Sequence, residues 1–244
     1  MQRLPAILLM VLSTLVACAG AKQANPSAAA PALAVEAVAV TTTPVVEGVV
    51  QKDAYTLVGP KNFLSGYPPT VGDRVQAVVE IPTGYVDKWE VKNEDGLLHW
   101  DMKNDKPRKV KYLGYPCNYG MVPQTVLSKA RGGDGDPLDI LVLGEAVPRG
   151  SVVEVKVIGL FRMHDDGELD VKLVAVRENT PFAEVASIAE LQEKFPGVTT
   201  IVETWFGNYK GPGVIKTEGF GDVDEATNIL NGAVADYREA HGGS

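Results

Sequence analysis

Two cysteines are all that the 244 residues offer for a covalent cross-link. Cys18 lies in an N-terminal tail and Cys117 in the body of the chain, so a bridge would staple that tail to a core segment, and we expect none. An excess of basic residues is missing too, for the formal net charge is −8. Setting aside residues 1–17, whose only charge is Arg3, leaves 22 basic against 31 acidic residues. Affinity for a nucleic-acid backbone rests on clustered Lys and Arg, so the balance argues against a nucleic-acid partner. It leaves room for a phosphate-bearing substrate, because carboxylates can hold divalent cations that in turn hold phosphate. No internal repeat is visible. The apolar stretch from Ala6 to Val16 is too short to cross a bilayer, which takes ~20 residues.

That stretch follows Arg3 and runs into Leu15-Val16-Ala17-Cys18, the charged, apolar, small-residue order of an export signal. It resembles a bacterial lipoprotein signal, with Cys18 as the lipidated first residue of the mature chain. An ordinary secretory signal cut near Ala17 or Ala19 is the alternative. The expected location is extracytoplasmic, anchored to a membrane through Cys18, on the periplasmic side in a Gram-negative cell. Ala19, which is not the retention cue that an Asp there would be, leans toward an outer membrane. From Ala19 to about Val50 the chain has no aromatic residue and only Lys22, Glu36 and Glu47 as charges. Such Ala/Pro-rich sequence has little to pack with and reads as a linker. The expected organisation is a signal over 1–17, a flexible tether over 18–50 and a folded domain over 51–244.

What the domain does have is 45% hydrophobic and 22% charged composition over the whole chain, enough for one sizeable core. Short β-branched or alternating runs come first: residues 76–81 stopped by Pro82, Trp89 to Val91, Lys109 to Tyr112, Leu138 to Leu143, Val152 to Ile158, and Lys172 to Val176. The last third changes period. Ser187 with Glu190 forms a capping box, Ile201, Val202, Trp205, Phe206 and Tyr209 recur at helical spacing until Gly211-Pro212, and Asp222 caps a helix carrying Ile229, Leu230, Ala233, Val234 and Tyr237. Strands without intervening helices, then helices, predict an α+β, mainly β fold built on a small barrel.

The strongest chemical signal is Asp134-Gly135-Asp136-Pro137-Leu138-Asp139. Three like charges so close are unfavourable unless cations or donors compensate them. A hairpin turn would account for Asp134 and Gly135 but not for Asp139, which opens an apolar strand. An EF-hand is excluded, since the sixth position, which needs Gly, is Asp139. A second acidic run, His164 to Lys172, looks by itself equally like an exposed hairpin tip. Within it Asp170 and Lys172, two apart on a strand, share a face. His164 reads as a surface residue. Lys88 with Glu90, Arg108, Tyr115, Tyr119, Tyr209 and Lys210 lie beside tight turns and could supply donors to a phosphate, although the ring of Tyr209 also falls on an apolar helix face.

In this order the motifs resemble those of the family I inorganic pyrophosphatases, over about Tyr55 to Tyr237. Glu80 before Ile81-Pro82, Lys88-Trp89-Glu90, Tyr115 to Gly120, the acidic signature, Asp165 to Lys172 and Tyr209-Lys210 all have counterparts in that family. The resemblance implies a five-stranded, OB-like barrel with flanking C-terminal helices. It implies Glu80, Asp134, Asp136, Asp139, Asp165 and Asp170 as ligands of several Mg²⁺ ions, with Asp136 as general base. Lys88, Arg108, Tyr119, Lys172, Tyr209 and Lys210 would hold phosphate oxygens, and Glu90 and Tyr115 would complete the pocket. Arg108 is preferred over Lys103 because only a guanidinium offers a planar fork. The implied reaction is hydrolysis of pyrophosphate to two orthophosphates, in a family whose members are usually cytoplasmic and oligomeric, which makes a homo-oligomer a further expectation and the export signal a departure. The alternatives from sequence are an exported binding module that kept the fold and lost turnover, or a hydrolase of polyphosphate or another phosphoanhydride.

Overall fold

A computed structural model describes residues 46–242. The signal, Cys18 and most of the expected tether lie outside the described residues. Val49, just ahead of the expected boundary at 51, is buried in the core that holds Phe63 and Leu64.

The first strands are short: β1 (Val50–Asp53), β2 (Thr56–Val58), β3 (Thr70–Val71), then the longer β4 (Arg74–Ile81). There follow β5 (Trp89–Val91), β6 (Leu98–Trp100), the two-residue strands β7 (Met102–Lys103) and β8 (Lys106–Pro107), and β9 (Asn118–Met121). The acidic signature leads into β10 (Asp139–Leu143), and the longest pair, β11 (Val152–Asp165) and β12 (Glu168–Val176), comes next. Helices α1 (Ile188–Lys194) and α2 (Val198–Asn208), an edge strand β13 (Ile215–Gly221) and helix α3 (Val223–Ala240) complete the fold.

Five strands close on themselves. β4 pairs with β9, β9 with β10, β10 with β12, β12 with β11, and β11 returns to β4. Only β10 and β12 run parallel among these pairs. Closure removes the unpaired edges an open sheet would expose. The barrel with flanking C-terminal helices expected from the sequence is therefore present. A register shift between Val157 and Gly159 bends β11, so that its start pairs with β4 and its far end, from Leu160, with β13. Asp166 and Gly167 join β11 to β12 with φ of 50° and 90°, the left-handed pair that a tight hairpin of matching twist requires.

Strand alternation sorts the side chains into two cores. Ile140, Val142, Leu173, Ala175 and Leu160 meet Ala226, Leu230 and Ala233 of α3. Leu141, Leu143, Val174, Val176, Phe161 and Met163 face the other way, toward Leu191 of α1 and Val202, Trp205 and Phe206 of α2. Ser187 and Asp222 cap their helices as expected, accepting from the Glu190 and Glu225 amides.

Three expectations fail locally. Residues 109–112 form no strand beyond a single bridge between Asp87 and Lys109, and the pairing there belongs to β7 and β8 instead. The stretch Asn118–Met121, which the sequence pattern does not mark as a strand, is a barrel strand, because β4 and β10 pair with it on both sides. Ile201 is 60% exposed and stands outside the core that its neighbour Val202 joins.

Candidate active site

The acidic signature is both a turn and part of a site. Gly135 takes φ 93°, Asp134 Oδ1 accepts the Asp136 amide at 2.9 Å, and Leu127 clasps the loop, its amide donating to the Asp136 carbonyl and its carbonyl accepting the Gly135 amide. That folding places Asp134 and Asp136 at the mouth of the barrel and Asp139 on the first residue of β10. Directly across the parallel pair lies Lys172. Asp170 shares the face of Lys172 on β12, and Asp165 ends β11.

The opposite side comes from β4, β5 and the loops. Glu80 leaves the end of β4, and Lys88 and Glu90 flank Trp89 of β5. Arg108 follows β8, Tyr115 precedes β9 and Tyr119 lies within it. Tyr209 and Lys210 follow α2. All fourteen of these residues line one cavity of about 320 Å³. Lys103, the rejected alternative to Arg108, is exposed on β7 and does not reach it. His164, half-buried on β11, lies 3.4 Å from Glu218 and does not line the cavity.

Every cation in the cavity is held by an anion. Lys172, 2% exposed, donates to Asp139 and to Asp170, each at 2.6 Å. The Tyr119 hydroxyl donates to the same Asp139 oxygen at 2.5 Å. Lys88 donates to Glu90 at 2.5 Å, Arg108 donates to Asp101 at 2.9 Å, and Lys210 pairs with Asp165. The rings of Tyr115, Trp205 and Tyr209 pack behind these groups, with Trp205 and Tyr209 stacked at 4.7 Å between centroids.

Burial dominates the titration of the site. It holds the Glu80 carboxyl well above the usual carboxylate range, against the pull of the Val91 amide that donates to it at 2.6 Å. Asp134 and Asp136 are also raised by desolvation, Asp134 despite the Asp136 amide and Asp136 despite a 2.8 Å bond from Asn93 Nδ2. Burial works against the Lys172 charge, but Asp139 and Asp170 overcome it and hold the ammonium protonated. The Tyr115 and Tyr119 hydroxyls are pushed well up and Tyr209 to about 12, all by burial first. All three phenols therefore act as neutral donors near neutral pH.

Whether these residues suit a divalent cation is decided by their chemistry. Among the described residues no three acidic, histidine or cysteine side chains converge tightly enough to enclose an ion as they stand. Lysines instead pair with Asp139, Asp170 and Asp165. The donor set is nonetheless all oxygen, which suits hard cations of the Mg²⁺ type. Asp165 Oδ1 is buried with no hydrogen-bond partner, an orphan that a cation would satisfy. The residues fit the group.

Four polar residues at the site escaped sequence reasoning. Lys92 pairs with Glu90 and Asn93 holds Asp136, and both lie within three residues of Lys88-Trp89-Glu90. Asp101 anchors Arg108 and lies 3.6 Å from Lys88. Asn118 is fully engaged below the cavity: its oxygen accepts the Thr83 and Val147 amides, and its nitrogen donates to the Val142 and Glu145 carbonyls. Adjacency to a motif was the available signal for the first two. For Asn118 the partners are too distant in sequence to be read.

A closed five-stranded barrel whose mouth sets carboxylates on one side against lysines, an arginine and phenols on the other defines a protein that handles a polyanion together with cations. The profile of the family described as inorganic pyrophosphatase matches residues 77–238, and the chain belongs to that family. It is 33% identical to an inorganic pyrophosphatase of Ralstonia nicotianae, over 66% of this chain and 90% of that one. It is 34% identical to a chloroplastic soluble inorganic pyrophosphatase of Arabidopsis thaliana over 66% of this chain, but spans only 58% of that relative. The mitochondrial enzyme of Saccharomyces cerevisiae is 36% identical over 57% of this chain and is spanned over 51% of its length. Among solved structures, type I inorganic pyrophosphatase from Toxoplasma gondii superposes with a TM-score of 0.71 at 30% identity, covering 80% of this chain and 97% of that one.

Proposed function

We propose that the protein hydrolyses inorganic pyrophosphate to two orthophosphates. One observation carries the reading: six carboxylates and a ring of Lys, Arg and Tyr donors, far apart in sequence, line a single cavity. Glu80, Asp134, Asp136, Asp139, Asp165 and Asp170 are the groups that would hold Mg²⁺. When bound, such ions neutralise phosphate oxygens and lower the pKa of water.

The chain's own residues do the rest. Asp136 accepts the proton of the attacking water, and Asn93, bonded to one of its oxygens, orients the carboxylate. Lys88, Arg108, Lys172 and Lys210 offset charge on the leaving phosphate, and Tyr119 and Tyr209 donate neutral hydrogen bonds to its oxygens. Glu90 keeps Lys88 in place, and Tyr115 packs under Tyr119 at 5.4 Å. In support, a truncated vacuolar soluble pyrophosphatase of Trypanosoma cruzi, 26% identical with a TM-score of 0.67 over 75% of this chain, has been solved in complex with pyrophosphate.

The test is phosphate release from pyrophosphate with and without Mg²⁺. Asp136→Asn is expected to reduce turnover by about 10²–10⁴-fold. Unchanged release in that variant would overturn the assignment of the base. Binding of pyrophosphate without release would favour the binding module, and faster release from polyphosphate the broader phosphoanhydride hydrolase.

The same proposal includes an extracytoplasmic location with Cys18 lipidated, supported by the order Arg3, apolar run, Leu15-Val16-Ala17-Cys18. Full-length chain is expected in the membrane fraction, and Cys18→Ala in the soluble one. A membrane-bound Cys18→Ala chain would count against the anchor.

A further inference from the structure

Glu80 sits at an irregularity. Where β4 runs beside β9, Val79 faces Gly120 and Ile81 faces Tyr119, so Glu80 is the extra residue of a β-bulge. Bulges redirect side chains and leave a backbone group out of the strand pairing. The Glu80 carbonyl is taken up by a side chain from another part of the chain: Arg149 Nε donates to it at 2.8 Å.

Arg149 belongs to the turn before β11, which is itself fastened beside the bulge. The Gly150 amide donates to the Val79 carbonyl at 2.8 Å, and the Val79 amide to the Ser151 carbonyl at 2.9 Å. Arg149 is 8% exposed, and its guanidinium lies 4.7 Å from the Trp89 ring centroid and 5.8 Å from that of Tyr85. Trp89 is the residue between Lys88 and Glu90, and Tyr85 sits on the loop leading to them. Arg149 itself does not line the cavity.

Such a placement is unusual for an arginine. Among the described residues no carboxylate forms an ion pair with it, and burial lowers its pKa to about 10, with Asp87 partly offsetting this. It is still charged near neutral pH. A buried charge without a partner is unfavourable, and an apolar side chain would fill the space at lower cost. What a guanidinium adds here is a donor for the bulge carbonyl and a flat cation against an indole.

We propose that Arg149 is a positioning residue for the pocket: it holds the bulge that aims the Glu80 carboxylate into the cavity and, through Trp89, steadies the segment carrying Lys88 and Glu90. The inference rests on the hydrolase reading, in which Glu80 is a cation ligand. It deepens that reading by naming a residue outside the cavity on which cation affinity depends.

The test is Mn²⁺ binding to the substrate-free full chain, followed by electron paramagnetic resonance, with thermal unfolding measured alongside. Arg149→Met is expected to weaken the tightest Mn²⁺ site about tenfold or more, the scale of losing a group that orients a ligand. Arg149→Lys, which keeps a donor and a charge, is expected to fall between Met and the parent. Leu230→Ala, a core change on α3, is expected to lower the melting temperature and leave Mn²⁺ affinity unchanged. Parental affinity in a folded Arg149→Met chain, or an equal loss in Leu230→Ala, would overturn the proposal. Should the Met variant not fold, the Lys variant decides: weaker binding at an unchanged melting temperature supports the role, and parental binding overturns it. If the parent chain itself neither binds Mn²⁺ nor releases phosphate, the hydrolase reading falls first and this inference with it.

Discussion

Lys172 and Asp139 are register partners on the parallel strands β12 and β10, and the ammonium donates to the carboxylate at 2.6 Å. Asp170 takes a second bond at the same distance, so one buried cation separates two anions. Lys172→Met leaves both carboxylates facing each other. Without divalent cations, urea unfolding should show a loss of about 3–5 kcal/mol, the usual consequence of stranding a buried charge. Added Mg²⁺ should return part of that stability and none of the turnover.

Glu80 supplies a prediction of sign. Burial raises its carboxyl well above the usual value of 4.5, so the folded chain holds this proton more tightly than the unfolded chain. The contribution to stability is complete below 4.5 and is lost as pH rises from there through the folded value. Glu80→Gln should therefore raise the melting temperature at pH about 7.5 with chelator present, and leave it unchanged at about pH 4. In Mg²⁺ the order at neutral pH should reverse, because the variant has lost a ligand.

Gly120 lies where β9 passes closest to β4. A Cβ built there would stand 1.9 Å from the Val78 carbonyl oxygen, which no rotamer change relieves. Gly120→Ala should cost about 3 kcal/mol or more in denaturant unfolding, or prevent barrel closure. Gly167, whose Cβ would meet nothing, is the control: Gly167→Ala is strained by its φ of 90° but not blocked, and should cost about 1 kcal/mol.

Cys117 is buried beside the site core, and burial pushes its thiol up to about 12. The thiolate is the reactive form, so at pH 8 a disulfide reagent should leave it untouched in the folded chain. With Cys18 changed to Ser, labelling should follow global unfolding. Fast labelling of the native chain would show an opening at Tyr115 to Tyr119.

The site was readable before the fold because its chemistry is carried in short contiguous sets, such as Asp134 to Asp139 or Asp170 with Lys172. Strand alternation then fixes which side chains point together, and all fourteen expected residues meet in one cavity. Asn118 to Met121 hid its strand character because Asn and Gly are poor strand formers, and pairing on both sides outweighs that propensity. Ile215 to Gly221 is similarly disguised, with two glycines and a mostly half-exposed face on an edge. Lys109 to Tyr112 erred the other way. Its alternation arises because Val110 packs on the core while Lys109 reaches Asp87 and Trp100, without a neighbouring strand. Arg149 had no local signature at all, since its partner Glu80 is a backbone carbonyl remote in sequence.

The closing pair of the barrel joins Val78 of β4 to Val152 of β11, across a long stretch of intervening chain. During synthesis β4 must therefore wait with an open edge until β11 has emerged, and β10 waits longer still for β12. Long-range pairing of this kind slows folding and exposes strands that can pair with other copies. Because Asp170 and Lys172 ride on the last barrel strand to appear, and Tyr209 and Lys210 follow α2 later still, the pocket is complete only after the barrel can close. A chain cut anywhere before Val176 would be an incomplete sheet rather than a weakened form of the same protein.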